Sequence, residues 1–465
     1  MLTNLDFLNP GNVFPPITER ERIDRYEYNR LTFEANNDAK YIEQAKRINR
    51  MLQDYTQISY HIELNYPKLI TLKTADLMLG EPPIFKAQDE QSLQLVLKKT
   101  YLLQKAYQCA IDISRFGDGL LYVRNTPQGG TIDTIPPIHW YPVVSQDNIK
   151  EVLYHVLAWS YEIERGDKTE QRMKAYIHEK GRYTEREYSM DDGEIQALLS
   201  KATHNTGLDD FAVIHIPNVT TSDRIYGLDD YTDLYSIVSE IEVRLAQIAK
   251  VLDRHTEPTM QGPSCALKED GHGGYIFPAG NFVTNMDEAG NTASVSYLTW
   301  DAHLEANFKH IEQLFNALYS ISEMGSALFG GTSLKTGTIP SGSALRRLMI
   351  SPLAKVNRVR SHFDPALKKA ICLCSQLGGD GIRQIDDVSI TWQDGLPNDQ
   401  KEEAEIINLR LAGKQSMSTK RALVQFDGMN ETQANNEVAL IEDEEAEANP
   451  IQTFLAAAPD ESVTE

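Results

Sequence analysis

The sequence has 465 residues, of which 41% are hydrophobic and 24% are charged. Its length allows roughly two or three domains, and its composition is ordinary for a soluble globular protein. The formal net charge is −22. Because tight, sequence-specific DNA binding needs a basic surface to neutralise phosphates, this charge argues against that class of protein. The negative charge is compatible with a conduit whose acidic wall repels the phosphates of DNA. It is equally compatible with acidity that serves solubility alone.

Membrane insertion and secretion are not expected. No stretch approaches the length of apolar sequence that a spanning helix needs. The first residues, MLTNLDFLNPGN, lack a basic region followed by an apolar one, so they do not resemble a signal peptide. The four cysteines, Cys109, Cys265, Cys372 and Cys374, are scattered. This pattern predicts reduced thiols in a cytoplasmic environment.

The N-terminal part is predicted to be helical. Residues 17–61 are polar with a helical pattern. The segment LNYPKLITLKTADLMLGEPP predicts a buried helix that Gly80 and the Pro82-Pro83 pair terminate. Apolar residues at helical intervals predict one further helix from Ser92 to Arg115.

The middle third of the chain is predicted to be a mixed or antiparallel sheet. Short apolar runs separated by turns predict strands at 119–124, 138–144, 152–161, 173–178 and 211–216. Strands grouped in this way, after a run of helices, favour an α+β fold over a doubly wound repeat.

Two apolar seams predict a pair of long helices. The first seam, over about 233–255, steps by 4-3-4-3-4 and comprises Leu234, Val238, Ile241, Leu245, Ile248 and Leu252. The second, over 302–325, comprises Leu304, Phe308, Ile311, Leu314, Phe315, Leu318 and Ile321. Between them lies a Gly- and Pro-rich insert in which YIFPAGNFVT and ASVSYLTW are predicted to be strands. Such a stalk leaves narrow apolar seams that identical neighbours in a ring would cover.

The C-terminal part begins with a flexible loop, GGTSLKTGTIPSG, that contains Lys335. A long helical segment is expected to start at Ser341 and to be kinked or broken, because it contains Pro352 and Pro365. Residues 388–392 predict a strand. Two helices should follow, the second capped by Ser416 or Ser418, and the acidic tail from about Glu437 should be frayed or disordered.

The segment around the long helix is locally basic, with a single acid, Asp364. Its cations are Arg346, Arg347, Lys355, Arg358, Arg360, Lys368 and Lys369. Two interpretations stay open. The cations could form a solvated face or ion pairs with acidic neighbours, or the preceding loop could bring Lys335 near DNA phosphates for weak, reversible contacts.

Sequence patterns of catalytic sites are missing. GGTSLKT lacks the glycine that precedes the lysine of a phosphate-binding loop, and it follows a helix where a strand is required. His139, His155 and His215 fall in predicted strands, where a packed or surface histidine is expected. The pairs Asp209-Asp210, Asp229-Asp230 and Asp386-Asp387 fall at turns, where helix capping explains them. We therefore predict no catalytic residue, no metal and no cofactor.

Five segments in order resemble the portal proteins of tailed double-stranded-DNA phages, in particular the branch of long-tailed phages of Gram-positive hosts. They are LNYPKLITLKTADLMLGEPP (64–83), FGDGLLYVR (116–124), YGLDDYTDLYSIVSEIEVRL (226–245), SGSALRRLMISPLAKV (341–356) and GLPNDQKEEAEIINLRLAGKQSMSTKRALV (395–424). The resemblance implies a non-enzymatic subunit of a dodecameric ring at one capsid vertex, through which the genome is packaged and ejected.

The resemblance also implies a division of the chain into regions with a portal-like fold. The wing would be 1–232 with 344–395, the stem helices 233–257 and 302–329, the clip 258–301, the tunnel loop 330–343, and the crown with its acidic tail 396–465. DNA-facing candidates in and beside the tunnel loop are Ser333, Lys335, Thr336, Thr338, Arg346 and Arg347. The implied partners are other copies of the chain, double-stranded DNA bound without sequence preference, the terminase large subunit, a head-tail connector, and the capsid and scaffold proteins. The protein would assemble in the bacterial cytoplasm and reside in the virion, with no membrane partner.

Two other functions stay open on the sequence. A nucleic-acid-processing enzyme with a carboxylate metal site would need acids converging on one pocket and Mg²⁺-dependent cleavage. A different connector ring of the virion would share the ring but would not require the long stalk.

Overall fold

A computed structural model describes most of the chain: residues 1–48, 62–165, 168–256, 304–329, 347–379, 381–393, 400–411, 416–426, 429 and 431–448, with short segments at 260–262, 268–269, 275–276, 282–284 and 296–297. The chain divides into two compact units, residues 1–336 with 348–395, and residues 337–347 with 396–465. No helix within the described ranges is long and apolar enough to cross a bilayer.

Five helices form the N-terminal part of the first unit. They are α1 (Ile17–Glu34), α2 (Asp38–Ile48), α3 (Tyr66–Leu79), α4 (Glu90–Thr100) and α5 (Leu102–Phe116). The predicted buried helix is confirmed as α3, where Asn65 accepts a hydrogen bond from the Lys68 amide and starts the helix. The chain leaves the helix at Gly80, as predicted.

The single helix predicted from Ser92 to Arg115 is wrong. The chain breaks at Tyr101, whose φ of 50° places it in the left-handed region between α4 and α5. Leu95 of α4 and Leu103 of α5 are 42% and 39% exposed. The sequence contains no Gly or Asn at this position, the residues that ordinarily end a helix in this conformation.

Fifteen strands lie in the described residues. They are β1 (Ile84–Ala87), β2 (Asp118–Thr126), β3 (Gly129–Thr134), β4 (Trp140–Val144), β5 (Val152–Arg165), β6 (Lys168–Glu179), β7 (Arg182–Asp191), β8 (Glu194–Asn205), β9 (Val213–Pro217), β10 (Met260–Gly262), β11 (Lys268–Glu269), β12 (Tyr275–Ile276), β13 (Phe282–Thr284), β14 (Ser296–Tyr297) and β15 (Val388–Thr391). The predicted α+β class is confirmed.

The main sheet is an antiparallel meander in the order β4-β5-β6-β7-β8. One of its faces packs under the N-terminal residues, with Phe7, Leu8 and Phe14 against Val156 and Ile177. The other face packs against the smaller sheet β3-β2-β9, where Trp140 and Leu157 meet Leu120 and Val213. Successive strand residues point to opposite faces, so the two cores alternate along each strand.

Strands β7 and β8 were not predicted. The sequence of β7, RYTEREYSMD, is rich in charge, and β8 has one buried residue, Ile195, among its twelve positions. β8 is exposed on both faces and carries no apolar alternation, while in β7 the buried residues Thr184, Tyr188 and Met190 are separated by polar or charged ones, so the period-two signal was weak. The two strands are held by their ladder, which runs from Arg182 opposite Asn205 to Asp191 opposite Glu194.

The two predicted long helices are present as α6 (Tyr235–Thr256) and α7 (Leu304–Ile321). The described part of the insert between them contains the short strands β10 to β14, with β10 paired to β13 and β14. The predicted strands in YIFPAGNFVT and ASVSYLTW correspond to β12, β13 and β14.

The long C-terminal helix of the first unit, α8, runs from Ile350 to Gln376 without interruption. Of the predicted kinked or broken helix, the break is therefore wrong. Pro352 lies in the first turn, where no intrahelical N–H bond is lost, and Pro365 is accommodated inside the helix. Ser341, the predicted start, lies outside the described residues. The predicted strand at 388–392 is β15, which pairs antiparallel with β1.

The second unit is helical in its described residues, with α9 (Gln400–Leu411), α10 (Thr419–Phe426) and α11 (Glu431–Ala448). Ser418 caps α10 by accepting a hydrogen bond from the Arg421 amide. Of the two predicted capping residues, Ser416 and Ser418, the second is therefore confirmed. The prediction of a frayed tail from Glu437 is wrong up to Ala448, because α11 continues to that residue. Its alanines and glutamates are strong helix formers, and Ala434 is fully buried.

Candidate functional site at the base of the paired helices

The helices α6 and α7 are antiparallel and only part of their apolar seams is covered. Val238, Ile241 and Leu318 are buried where the helices join the body of the unit. At the far end, next to the insert, Leu252 is 51% exposed and Phe308 is 55% exposed. Apolar side chains are thus exposed toward the far end, and also at Ile321, which is 48% exposed at the base.

A buried carboxylate joins α6 to α2. Glu242 lies 2.8 Å from the Lys40 ammonium, and it accepts hydrogen bonds from the side-chain amide of Gln44 and, at 2.8 Å, from the backbone amide of Leu64. Burial raises the pKa of Glu242, and the Lys40 ammonium opposes this effect. Because removing either partner would leave an uncompensated buried charge, this pair fixes the position of the helix.

Two of the segments that carry the portal resemblance contact each other directly at the start of α6. Gly117 of FGDG has a φ of 86°, and a Cβ added at Gly227 of YGLDD would lie 1.9 Å from the Gly117 carbonyl oxygen. The adjacent Asp118 is fully buried and accepts hydrogen bonds from the Gly227 amide at 2.8 Å and from the Tyr26 hydroxyl. Glycine is required at both positions, since a side chain at either would separate the two segments.

Lys355 of α8 connects the start of α6 to the end of α7. Its Nζ lies 3.0 Å from Asp230, which precedes α6, and donates a hydrogen bond of 3.2 Å to the carbonyl of Ser322, which follows α7. Asp230 also accepts hydrogen bonds from Ser114 at 2.6 Å and Asn218 at 3.1 Å. We call Lys355, Asp230 and Ser322 the anchor.

The basic residues of α8 are paired within the protein. Arg358 pairs with Glu323, Lys368 with Asp364 and Lys369 with Asp210. Arg360 is buried and donates to the carbonyls of Leu77 and Met78 at 3.0 Å. Lys355, Arg358, Lys368 and Lys369 therefore pair with acidic neighbours, as one of the two interpretations expected, whereas Arg360 contacts backbone carbonyls.

The structure does not reach most of the predicted DNA-facing residues. Ser333, Lys335, Thr336, Thr338 and Arg346 lie outside the described residues. Arg347 is exposed and belongs to the second unit. The anchor was not predicted from the sequence, because each of its contacts joins residues that are far apart in the chain.

The histidines and acids singled out in the sequence have structural contacts. His155 is buried and accepts a hydrogen bond of 3.1 Å from the Trp140 indole, while His215 lies 2.7 Å from Asp118. His139 lies in the single-turn helix Pro137–His139, not in a strand. Asp229 accepts from the amides of Tyr231 and Thr232 and so caps the turn before α6, as predicted. Asp210 and Asp230 form ion pairs instead.

No group of three or more His, Cys, Asp or Glu side chains with metal-binding geometry occurs among the described residues. Cys109, Cys372 and Cys374 are free thiols, and Cys265 lies outside the described residues. The described geometry joins the start of α6 and the end of α7 to α8 through buried polar contacts.

Comparison with known proteins assigns this architecture to a family. Residues 18–450 match the family described as "Phage portal protein, SPP1 Gp6-like", and the chain belongs to this family. It is a structural portal subunit. No curated protein matches the chain.

Three solved structures show remote similarity at 13% sequence identity, each covering 77% of this chain and 87% of the other. They are the neck of an empty GTA particle computed with C6 symmetry, the neck of a native GTA particle computed with C12 symmetry, and the virion of a native gene transfer agent (GTA) particle. Their TM-scores are 0.41, 0.40 and 0.39, respectively.

Proposed function

We propose that identical copies of this chain form a ring at one vertex of a capsid, and that double-stranded DNA passes through its channel during packaging and ejection. The family match over residues 18–450 carries this proposal. The exposed outer part of the helix pair supports it, because neighbouring copies would cover the apolar side chains that a single subunit leaves in solvent.

We assign the chain to regions in the order that the sequence suggested. Residues 1–232 and 344–395 form the wing, 233–257 and 302–329 the stem, 258–301 the clip, 330–343 the tunnel loop, and 396–465 the crown. The anchor supports the stem assignment, since it holds the beginning of one stem helix and the end of the other at a single lysine.

Passage of DNA requires weak contacts that are easily released. The net charge of −22 disfavours tight binding of phosphates, and the cations of α8 are neutralised by internal partners. In this proposal Lys335 and its neighbours in the tunnel loop supply the positive charges that approach the duplex. A lysine on a flexible stem makes contacts with phosphates that depend little on base sequence.

The work of the ring is binding and gating, and a partner supplies the energy. The terminase large subunit would dock during packaging and a head-tail connector afterwards, while capsid and scaffold proteins would surround the wing during assembly in the bacterial cytoplasm. The mature protein would remain in the virion, and no cofactor takes part.

The experiment is an assembly assay of capsids with and without this chain. Particles that contain the chain should protect packaged DNA from nuclease, and particles that lack it should form without protected DNA. Equal protection in both preparations would contradict the proposal. Incubation of the purified protein with DNA and Mg²⁺ addresses the enzyme alternative, for which cleavage of the DNA would be the decisive result.

A further inference from the structure

A cleft of about 1040 Å³ lies between the main sheet and the smaller sheet. Strand β2 contributes Tyr122 and Arg124 to its lining, and β6 and β7 contribute His178 and Tyr183. In the ladder of β2 and β3, Tyr122 is opposite Asp133, so both side chains share a face of the smaller sheet with Arg124. We call this cavity the inter-sheet cleft.

The inter-sheet cleft carries a local positive charge. Three charged side chains line it, the two cations Lys105 and Arg124 and the carboxylate of Asp133. Both cations contact Asp133, at 3.5 and 2.6 Å, and one carboxylate neutralises only one of them. Arg124 donates to Asp133 through Nε, and its side chain is 51% exposed, so further N–H donors remain for a ligand. The charge of the cleft therefore favours an anion.

His178 is a buried polar group in the wall of the inter-sheet cleft. It has no exposed surface, and neither Nδ1 nor Nε2 has a hydrogen-bond partner among the residues that the structure describes. Burial lowers the pKa of His178 to about 4, so at neutral pH the imidazole offers one N–H donor and one acceptor nitrogen. Buried polar groups in native proteins are nearly always paired, and an unpaired imidazole beside a cleft points to a ligand with both a donor and an acceptor.

The imidazole of His178 is close to the charged groups of the cleft. Its ring centroid lies 5.2 Å from that of Tyr122 and 5.3 Å from that of Tyr183. Both tyrosines are half-buried in the cleft lining, so rotation of either ring opens a path to the imidazole. Tyr122 and Arg124 are two residues apart on one face of β2, a separation of about 7 Å. A compact ligand is therefore able to contact the guanidinium and the imidazole together.

We propose that the inter-sheet cleft binds a phosphate group that carries a proton, either inorganic phosphate or the terminal phosphate of a small ligand. The guanidinium of Arg124 and the ammonium of Lys105 bind its ionised oxygens. The P–OH group donates to the carboxylate of Asp133 or to the acceptor nitrogen of His178, and the imidazole N–H donates to another oxygen. Since an oxyanion without a proton has nothing to donate to these acceptors, Asp133 makes the site selective.

The experiment measures binding to the full-length protein by calorimetry at about pH 6, where a phosphate monoester is roughly half protonated. The probe is inorganic phosphate, and sulfate at equal ionic strength is the comparison, because it carries no proton at this pH. Phosphate should bind saturably, and sulfate should bind at least about tenfold more weakly. Thymidine monophosphate distinguishes the two sources of the phosphate, since an esterified phosphate binds only if the cleft also accepts the rest of the ligand.

Two substitutions connect the binding to the cleft. Arg124→Gln and His178→Phe should each weaken phosphate binding about tenfold or more, because each removes a hydrogen bond to a charged ligand. Arg182→Gln is the matched control for the arginine, since Arg182 is also an exposed strand residue in an ion pair but does not line this cleft. Circular dichroism should show all three variants folded.

Asp133→Asn tests the selectivity of the site. An amide does not repel an ionised oxyanion and it adds N–H donors, so sulfate should bind more tightly than to the unchanged protein. The ratio of phosphate to sulfate affinity should fall at least about threefold. A carboxylate that only orients Arg124 would leave this ratio unchanged.

The proposal goes beyond the function of a ring, because every group that it names belongs to one subunit. The absence of saturable phosphate binding would overturn it, and so would equal binding of sulfate, which would indicate general attraction of anions. Tighter binding of an oligothymidylate with hydroxyl ends would make phosphodiesters the ligand and would also overturn it. Unchanged binding in the Arg124 and His178 variants would place the phosphate outside the cleft.

Discussion

The ammonium of Lys355 lies 3.0 Å from the carboxylate of Asp230, and the side chains are 5% and 9% exposed. The same ammonium donates to the carbonyl of Ser322 at 3.2 Å. One charge on α8 therefore holds the beginning of α6 and the end of α7 in place.

Replacement of Lys355 by methionine should destabilise the protein by roughly 3 kcal/mol, because the buried Asp230 loses its counter-charge. Urea unfolding followed by circular dichroism measures the effect. Arg358→Met is the control, since its pair with Glu323 is 44% and 40% exposed. Loss of an exposed pair should cost less than about 1 kcal/mol. Equal effects of the two substitutions would mean that Lys355 is not a special anchor.

Stability should fall as the pH falls from about 6.5 toward 4. Burial lowers the pKa of His155 to about 3 and that of His178 to about 4, whereas an unfolded histidine titrates near 6.5. In this window the unfolded chain binds more protons than the folded one, so acid favours unfolding. Both rings are neutral above the window, where their contribution to the pH dependence vanishes. Equilibrium unfolding at a series of pH values measures the slope.

His178→Phe tests the histidine origin of this slope. Neither ring nitrogen of His178 has a hydrogen-bond partner in the described structure, and the ring packs against Tyr122 and Tyr183. The substitution should raise stability by about 1 kcal/mol at pH 7, because it removes unsatisfied buried polar atoms. It should also reduce the slope between pH 4 and 6.5, since one of the buried histidines that bind a proton on unfolding is lost. An unchanged slope would assign the pH dependence to other groups.

Phe308→Asp should prevent ring assembly while leaving the subunit folded. Phe308 is 55% exposed on α7, where we expect a neighbouring copy to cover it. Ile17→Asp is the control, because Ile17 is 74% exposed at the start of α1, away from the helix pair. Size-exclusion chromatography with light scattering distinguishes rings from subunits. Retention of rings in the Phe308 variant would place the subunit contacts elsewhere.

Lys335→Ala and the double change Arg346→Ala with Arg347→Ala should leave ring assembly intact and alter the amount of DNA that is packaged or retained. The reason is that contacts with phosphates in the channel do not hold subunits together. Electron microscopy of the variants checks assembly, and nuclease-protected DNA per particle checks packaging. Variants that fail to fold would indicate that these charges are structural.

The sequence predicted those elements whose apolar pattern is long and regular. The seams of α6 and α7 and the buried helix α3 were found because their residues recur at helical intervals. Local pattern was insufficient at Tyr101, where tertiary packing imposes a left-handed residue, and in β8, which has almost no buried face. Tertiary context overrides propensity in both places.

The candidate site was harder to predict than the fold. The sequence left open whether the basic segment lies near DNA, because the acids that neutralise it come from distant parts of the chain. These acids are Asp210, Asp230 and Glu323. The assignment of Lys335 to a tunnel loop stays a prediction.

Electron microscopy of the purified full-length protein tests the central claim most directly. Class averages should show rings of about twelve subunits around an open channel, because closed cyclic assembly covers the exposed seams in every copy. A population of only monomers or dimers, without a central hole, would contradict the account.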